Sequence, residues 1–148
     1  MKNKRYKPKF DKLYFWITVP TAVLMLALTA LPLVLEPDDS WVAWVLILLC
    51  DLFVFWFLLS PLFGYVELKD GGVFIKYGFI LKKEIPYEKI RGLTFGRGII
   101  SESMMSLKNA MDHVNIKYNT FDITVVSVVD NEGLVEEINK RRALLDVR

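Results

Sequence analysis

"VLILLCDLFVFWF" runs from Val45 to Phe57 and sets one carboxylate, Asp51, among twelve apolar residues. Whether this stretch is the core helix of a soluble domain or a membrane span decides the fold. The apolar run around it extends from Trp41 to Gly64, 24 residues with Asp51 as the sole charge. An earlier run, Leu13 to Leu35, has 23 residues and no charge. A helix needs about 20 apolar residues to cross the hydrocarbon core. Both runs are long enough, and neither carries the polar stripe of a half-buried soluble helix. A central Asp costs roughly 2.5 to 3.5 kcal/mol on insertion, and each Leu, Ile, Phe or Val returns roughly 0.3 to 0.6. The second run has fifteen such residues, so Asp51 does not veto the span.

The chain has 148 residues and is 53% hydrophobic, with the excess confined to the first 64 residues. Charged residues return every few positions after Tyr65. This divides the chain into a basic arm (1–12), a two-helix transmembrane hairpin (13–64, with helices at 13–35 and 41–64) and a polar domain (65–148). The first run is too long for a cleaved signal peptide and lacks a small-x-small cleavage site. Six Lys and Arg precede it, while the connector "EPDDS" (Glu36 to Ser40) has three acids and no base. The positive-inside rule then puts both termini in the cytoplasm, in a multi-pass protein of the inner (cytoplasmic) membrane. Tyr14, Phe15, Trp16, Trp41, Trp44 and Tyr65 suit the interfacial belts. A single cysteine, Cys50, excludes a disulfide framework within the chain and agrees with a cytosolic domain.

Beyond Tyr65 the pattern is of short strands. "YVEL" (Tyr65 to Leu68) and "VFIKY" (Val73 to Tyr77) flank Asp70-Gly71, a hairpin signal. "FILKKEI" (Phe79 to Ile85) is stopped by Pro86, and "GLTF" (Gly92 to Phe95) follows. "HVNIKY" (His113 to Tyr118) alternates, with Val114, Ile116 and Tyr118 on one face. "DITVVSV" (Asp122 to Val128) is the last strand. Asp130 then caps a helix with acids early and "KRR" (Lys140 to Arg142) late, and Leu134, Ile138 and Leu145 form its apolar face. The predicted domain is a set of antiparallel strands closed by a C-terminal helix.

Two apolar spans, the stretch "DGGVFIKYGFILKKEIPYEKI", then "DHVNIKY", "FDITVVSV" and an acidic-then-basic helix resemble the small bacterial membrane proteins with a pleckstrin-homology-like domain. Among these the chain is most similar to the YyaB-like PH domain family. The resemblance covers Gly64 to Leu145, and the spans by architecture. The motif expected in that family reads leucine-serine-leucine-aspartate-arginine-leucine-x-isoleucine, and its counterpart is "NAMDHVNIKY". Asp112, Val114, Ile116 and Tyr118 fit; His113 stands where arginine is usual, and Ala110 and Met111 loosen the start. The resemblance implies a PH-like antiparallel barrel or sandwich of six or seven strands capped by a C-terminal α-helix. It implies no activity.

The residues point to no catalysis. His113 stands alone, without Cys, Asp or Glu at ligand spacing, so no metal or other cofactor is expected. "GRG" (Gly96 to Gly98) is too short for a phosphate cradle. Residues 65–148 hold thirteen basic and twelve acidic side chains, which argues against nucleic acid.

Three features stand out. Lys2, Lys4, Arg5, Lys7, Lys9 and Lys12 are candidates for contact with anionic lipid, at about 1 kcal/mol each near the surface, or they simply set topology. The loop Gly96 to Ala110 offers Ile99, Ile100, Met104 and Met105 to a partner or the bilayer, or plugs one end of the barrel. Asp51 is an intramembrane acid, a functional-site candidate by default. The expectation is that its carboxyl group donates a hydrogen bond to Thr29 or to the Leu28 carbonyl freed by Pro32, locking the hairpin. The rival is a bond to another membrane protein or to Asp51 of a second copy in a homo-oligomer.

The function expected is non-enzymatic: an integral membrane protein presenting a cytoplasmic PH-like domain to a protein or lipid partner. The alternative is bacteriocin immunity or envelope-stress protection, in which the acidic connector meets a cationic peptide.

Overall fold

The computed structural model describes residues 3–35, 41–98, 103 and 106–146. Two long helices, α1 (Lys12–Leu35) and α2 (Trp41–Leu59), stand outside a two-layer β domain. Leu13 is the second residue of α1, and its amide donates to Asp11 Oδ1 at 2.9 Å, which caps the helix N-terminus. At the other end α2 gives way to a 3-10 turn, Ser60–Phe63. Pro61 lacks the N–H that an α-helix would direct at Phe57 and disfavours α geometry at Ser60, so α2 stops five residues short of Gly64.

The first sheet is antiparallel, in the order β1 (Lys4–Tyr6), β2 (Tyr65–Leu68), β3 (Gly72–Lys76), β4 (Lys82–Pro86). The second orders β5 (Ile90–Arg97), β7 (Asp112–Tyr118), β8 (Asp122–Val126) and β6 (Ser106–Leu107) side by side. All its pairings are antiparallel except β6 with β8. In the β7–β8 turn Asn119 takes φ 51°, a left-handed value that Asn tolerates, and its side-chain Nδ2 donates to Asp122 Oδ2 at 2.7 Å. The described residues thus form eight strands, against six or seven expected. The two added are short, and one of them, β1, was assigned to a free arm.

That segment differs most from the sequence reading. Residues 4–9 are part of the domain. Arg5 lies opposite Glu67 and Tyr6 opposite Val66, Pro8 bridges Val128, and the Lys9 amide donates to the Ser127 carbonyl at 2.9 Å. Tyr6 is buried. Two basic residues precede the strand's only apolar side chain, so no local pattern announces it.

The sheets face each other over a core of Val66, Leu68, Val73, Ile75, Ile85, Val114, Ile116 and Val126. The helix α3 (Asn131–Asp146) closes the barrel with Leu134 and Ile138, as its apolar spacing predicts. Its N-terminus is capped by Asp130, whose Oδ1 accepts from the Gly133 amide at 2.8 Å. Arg141, on the same helix, is buried and donates to the Leu68 and Lys69 carbonyls at 3.2 Å each. The Glu137 carboxylate, one turn earlier, accepts from it at 2.9 Å, and that hydrogen bond holds Glu137 below the usual carboxylate range.

Candidate functional site

A crevice and a turn join the helices to the domain. The membrane-length windows of α1 and α2 bury none of their residues inside the molecule, and side chains such as Trp16, Phe53 and Phe57 are more than 70% exposed. A soluble core helix would bury them. Among the described residues, the partly shielded positions are Leu13, Tyr14, Thr18, Thr21, Ala22, Met25 and Thr29 on α1 and Trp44, Ile47, Asp51, Val54, Phe55 and Leu58 on α2. Most recur at spacings of three and four, the pattern of a seam along which two helices pack.

Asp51 therefore faces the companion helix. Its Oδ1 is buried with no hydrogen-bond partner. The Tyr14 hydroxyl donates to the Leu58 carbonyl at 2.7 Å and fixes the register. Counting seven residues along each helix from that contact brings Thr21 level with Asp51, to within about one turn. Thr29 lies about 12 Å further along the axis, and its hydroxyl is turned back onto the Met25 and Leu26 carbonyls of its own helix at 3.1 and 3.0 Å. The structure does not bring Asp51 and Thr29 together. Pro61 ends α2 at Leu59, short of the end of the apolar run, and this shifts the level of Asp51 along α1.

At the domain end of the seam, Tyr14, Ile17, Phe57, Leu58, Lys108 and Asn109 help to line a crevice of about 240 Å³. The crevice is apolar on its helix side and polar on its domain side. Asp11 ties the two together, because its Oδ2 accepts from the Met111 amide at 2.6 Å while its own amide donates to the Asn109 carbonyl at 3.2 Å. Asn109 is buried and its Nδ2 has no hydrogen-bond partner.

The turn between β3 and β4 leans on the end of α2. The Phe79 ring sits 4.6 Å from Trp56 and 4.3 Å from Phe63, and its amide donates to Ser60 Oγ at 3.2 Å. Gly78 permits the approach: a Cβ there would fall 1.8 Å from Ser60 Oγ.

The basic residues of the N-terminal segment disperse. The Arg5 guanidinium stacks over the Tyr65 ring at 3.4 Å, Lys4 lies level with Leu68 at the far end of β2, and Lys9 pairs with Asp112 at 3.3 Å. Lys7 is exposed, and so is Lys12, the first residue of α1. Lys2 lies outside the described residues, as do Ile99, Ile100, Met104, Met105 and the connector 36–40.

A second groove, of about 560 Å³, is bordered by Phe95, Arg97, Asp112, His113 and Asn131. His113 is buried within β7, its Nδ1 2.9 Å from the Met111 carbonyl. Gly96 makes room for it, since a Cβ there would stand 2.4 Å from His113 Nε2. The glycine in "GRG" thus has a packing role that only the β5–β7 register reveals. Among the described residues no group of three or more His, Cys, Asp or Glu could hold a metal ion.

Compared with known proteins, the chain matches the family model described as a bacterial PH domain over residues 64–142, more than half its length. No curated protein and no solved structure matches it. The matched region contains β2 through β8 and most of α3, the sheets and the closing helix described above. The chain belongs to the bacterial PH domain family.

Proposed function

We propose that this protein spans the cytoplasmic membrane twice and holds its PH-like domain against the inner face as a non-catalytic binding module for a protein or lipid partner. One observation carries the reading. The strand before α1 pairs with the strand after α2, so the outward-facing apolar helices leave the domain and return to it. A hairpin of that form enters and leaves a bilayer on one side. The six basic residues of the N-terminal segment support the cytoplasm as that side, by the positive-inside rule. Two membrane-length helices whose windows bury nothing inside the molecule support lipid as the solvent of their apolar flanks. The crevice beside Asn109 lies where such helices would emerge, a position suited to a partner that approaches along the membrane.

Membrane extraction and crosslinking test this. The protein should stay in the pellet after an alkaline carbonate wash. An alkaline-phosphatase fusion after Ser40 should be active, and one after Arg148 inactive. Crosslinking in native membranes followed by affinity purification should recover a defined protein or lipid adduct on the domain. Release into the soluble fraction, or activity of the Arg148 fusion, would overturn the reading.

A further inference from the structure

We infer that the β3–β4 turn, Tyr77 to Lys82, is a third membrane contact that inserts its tip into the headgroup region of an anionic leaflet. This rests on the proposed span of α2. The Tyr77 amide donates to the Leu81 carbonyl at 2.9 Å, which closes the turn and throws Ile80 and Leu81 outward. They are 75% and 59% exposed, although both are large and apolar. Phe79, half-buried, is held against Trp56 and Phe63. Ser60 Oγ accepts from its amide, and the Gly78 backbone lies close against Ser60. The turn is therefore fixed at the level of the last turn of α2.

That level identifies the occupant. Trp56, Phe57, Leu62 and Phe63 are each 46% to 72% exposed around the same end of the helix, and Ile80 and Leu81 extend this apolar belt sideways onto the domain. The next residue, Lys82, is exposed and lies opposite Lys76 across the ladder. Apolar tip residues followed at once by lysine match the chemistry of an anionic phospholipid surface. The tip sits among the upper acyl carbons, and the ammonium groups lie at the phosphates. Phe121, at the tip of the β7–β8 turn, is 91% exposed but stands alone, whereas Ile80 and Leu81 are adjacent and continue the apolar belt at the end of α2 into one patch, the kind of surface that marks a contact. The contact would fix the tilt of the domain, since the span alone permits rotation about its own axis.

The test uses the full chain in vesicles of phosphatidylcholine and phosphatidylglycerol, with Cys50→Ser as background. Single substitutions Ile80→Cys, Leu81→Cys, Phe53→Cys and Asp70→Cys each carry an environment-sensitive fluorophore. The labels at 80 and 81 should show blue-shifted emission. They should be quenched by phospholipid spin-labelled near the glycerol and protected from aqueous iodide. The label at Phe53, in mid-helix, should respond to a deep spin label, and that at Asp70, on the opposite hairpin, to iodide. Iodide quenching at 80 and 81 with lipid quenching at 53 overturns the proposal and leaves the span intact. Iodide quenching at 53 as well overturns both.

Discussion

The Tyr6 hydroxyl donates to the carbonyl of Gly133 at 3.0 Å, across 127 residues and both apolar helices. The bond fastens the strand that precedes the first helix to the helix that closes the barrel. Tyr6 is also buried, so the ring fills core space while the hydroxyl satisfies a carbonyl in the first turn of α3. Tyr6→Phe should lower domain stability by about 0.5 to 1.5 kcal/mol through the lost hydrogen bond. Tyr6→Ala should cost about 3 to 5 kcal/mol. Thermal melts of the full chain in nanodiscs check both. A free N-terminal arm would leave both variants at the wild-type midpoint.

Gly96 and His113 face each other across the β5–β7 ladder with no space for a methyl group. Gly96→Ala should destabilise the domain by about 1 to 3 kcal/mol, the range for overpacking a filled site. His113→Ala in the same chain should recover most of that loss, because the ring is the obstacle. The double variant, compared with each single one, reads the coupling directly.

Burial pushes the Tyr77 phenol up to about 12, with a hydrogen bond to Thr124 at 2.6 Å acting in the other direction. The folded value lies above the unfolded value of about 10, so the unfolded chain loses this proton first as pH rises. The stabilisation is complete below pH 10 and falls away between about pH 10 and 12, by roughly 3 kcal/mol. Thermal midpoints of wild type and Tyr77→Phe, measured from pH 9 to 12, should therefore converge or cross as pH rises. Parallel curves would show that Tyr77 ionises alike in both states.

Within the helix seam, Asp51 and Thr21 are level and Thr29 is not. Asp51→Asn keeps the size and polarity of the side chain and should preserve helix pairing. Asp51→Leu should weaken it. The Thr21 hydroxyl donates to the Ile17 carbonyl of its own helix at 2.7 Å and keeps a lone pair able to accept from Asp51, so Thr21→Ala should weaken pairing by about 0.6 kcal/mol, the size of a typical interhelical polar contact. Thr29→Ala should have no effect. A helix-association assay on the full chain in bilayers separates these outcomes, and a loss at Thr29 rather than Thr21 would mean that the helices pack in another register.

Much of this fold is written locally. The strand β2 has the bounds that "YVEL" suggests, the alternation in "HVNIKY" puts Val114, Ile116 and Tyr118 in the core, and Asp130 caps α3. Length and apolarity alone marked both helices. What could not be read depends on contacts distant in sequence. A strand of Lys, Arg and Tyr has no apolar period, and only its pairing with β2 reveals it. The register of Asp51 depends on where α2 ends, which Pro61 decides. The candidate site was legible in part: Asp51 was visible as a charge in an apolar run. The turn at Phe79 to Leu81 read simply as strand, because its exposure follows from contacts with Trp56, Phe63 and Ser60.

The most direct measurement is a disulfide across the two spans. Arg5 and Glu67 are cross-strand partners, one on each side of the helical hairpin in sequence. Opposed residues in an antiparallel pair have Cα atoms about 4.5 to 5.5 Å apart, within disulfide range. Arg5→Cys with Glu67→Cys, on the Cys50→Ser background, should form an intramolecular disulfide on mild oxidation of native membranes. Before oxidation, both thiols should react with an impermeant maleimide from the cytoplasmic side alone. Labelling of the two positions from opposite faces, or no disulfide while both are accessible from one face, would contradict a domain built from both ends of a membrane hairpin.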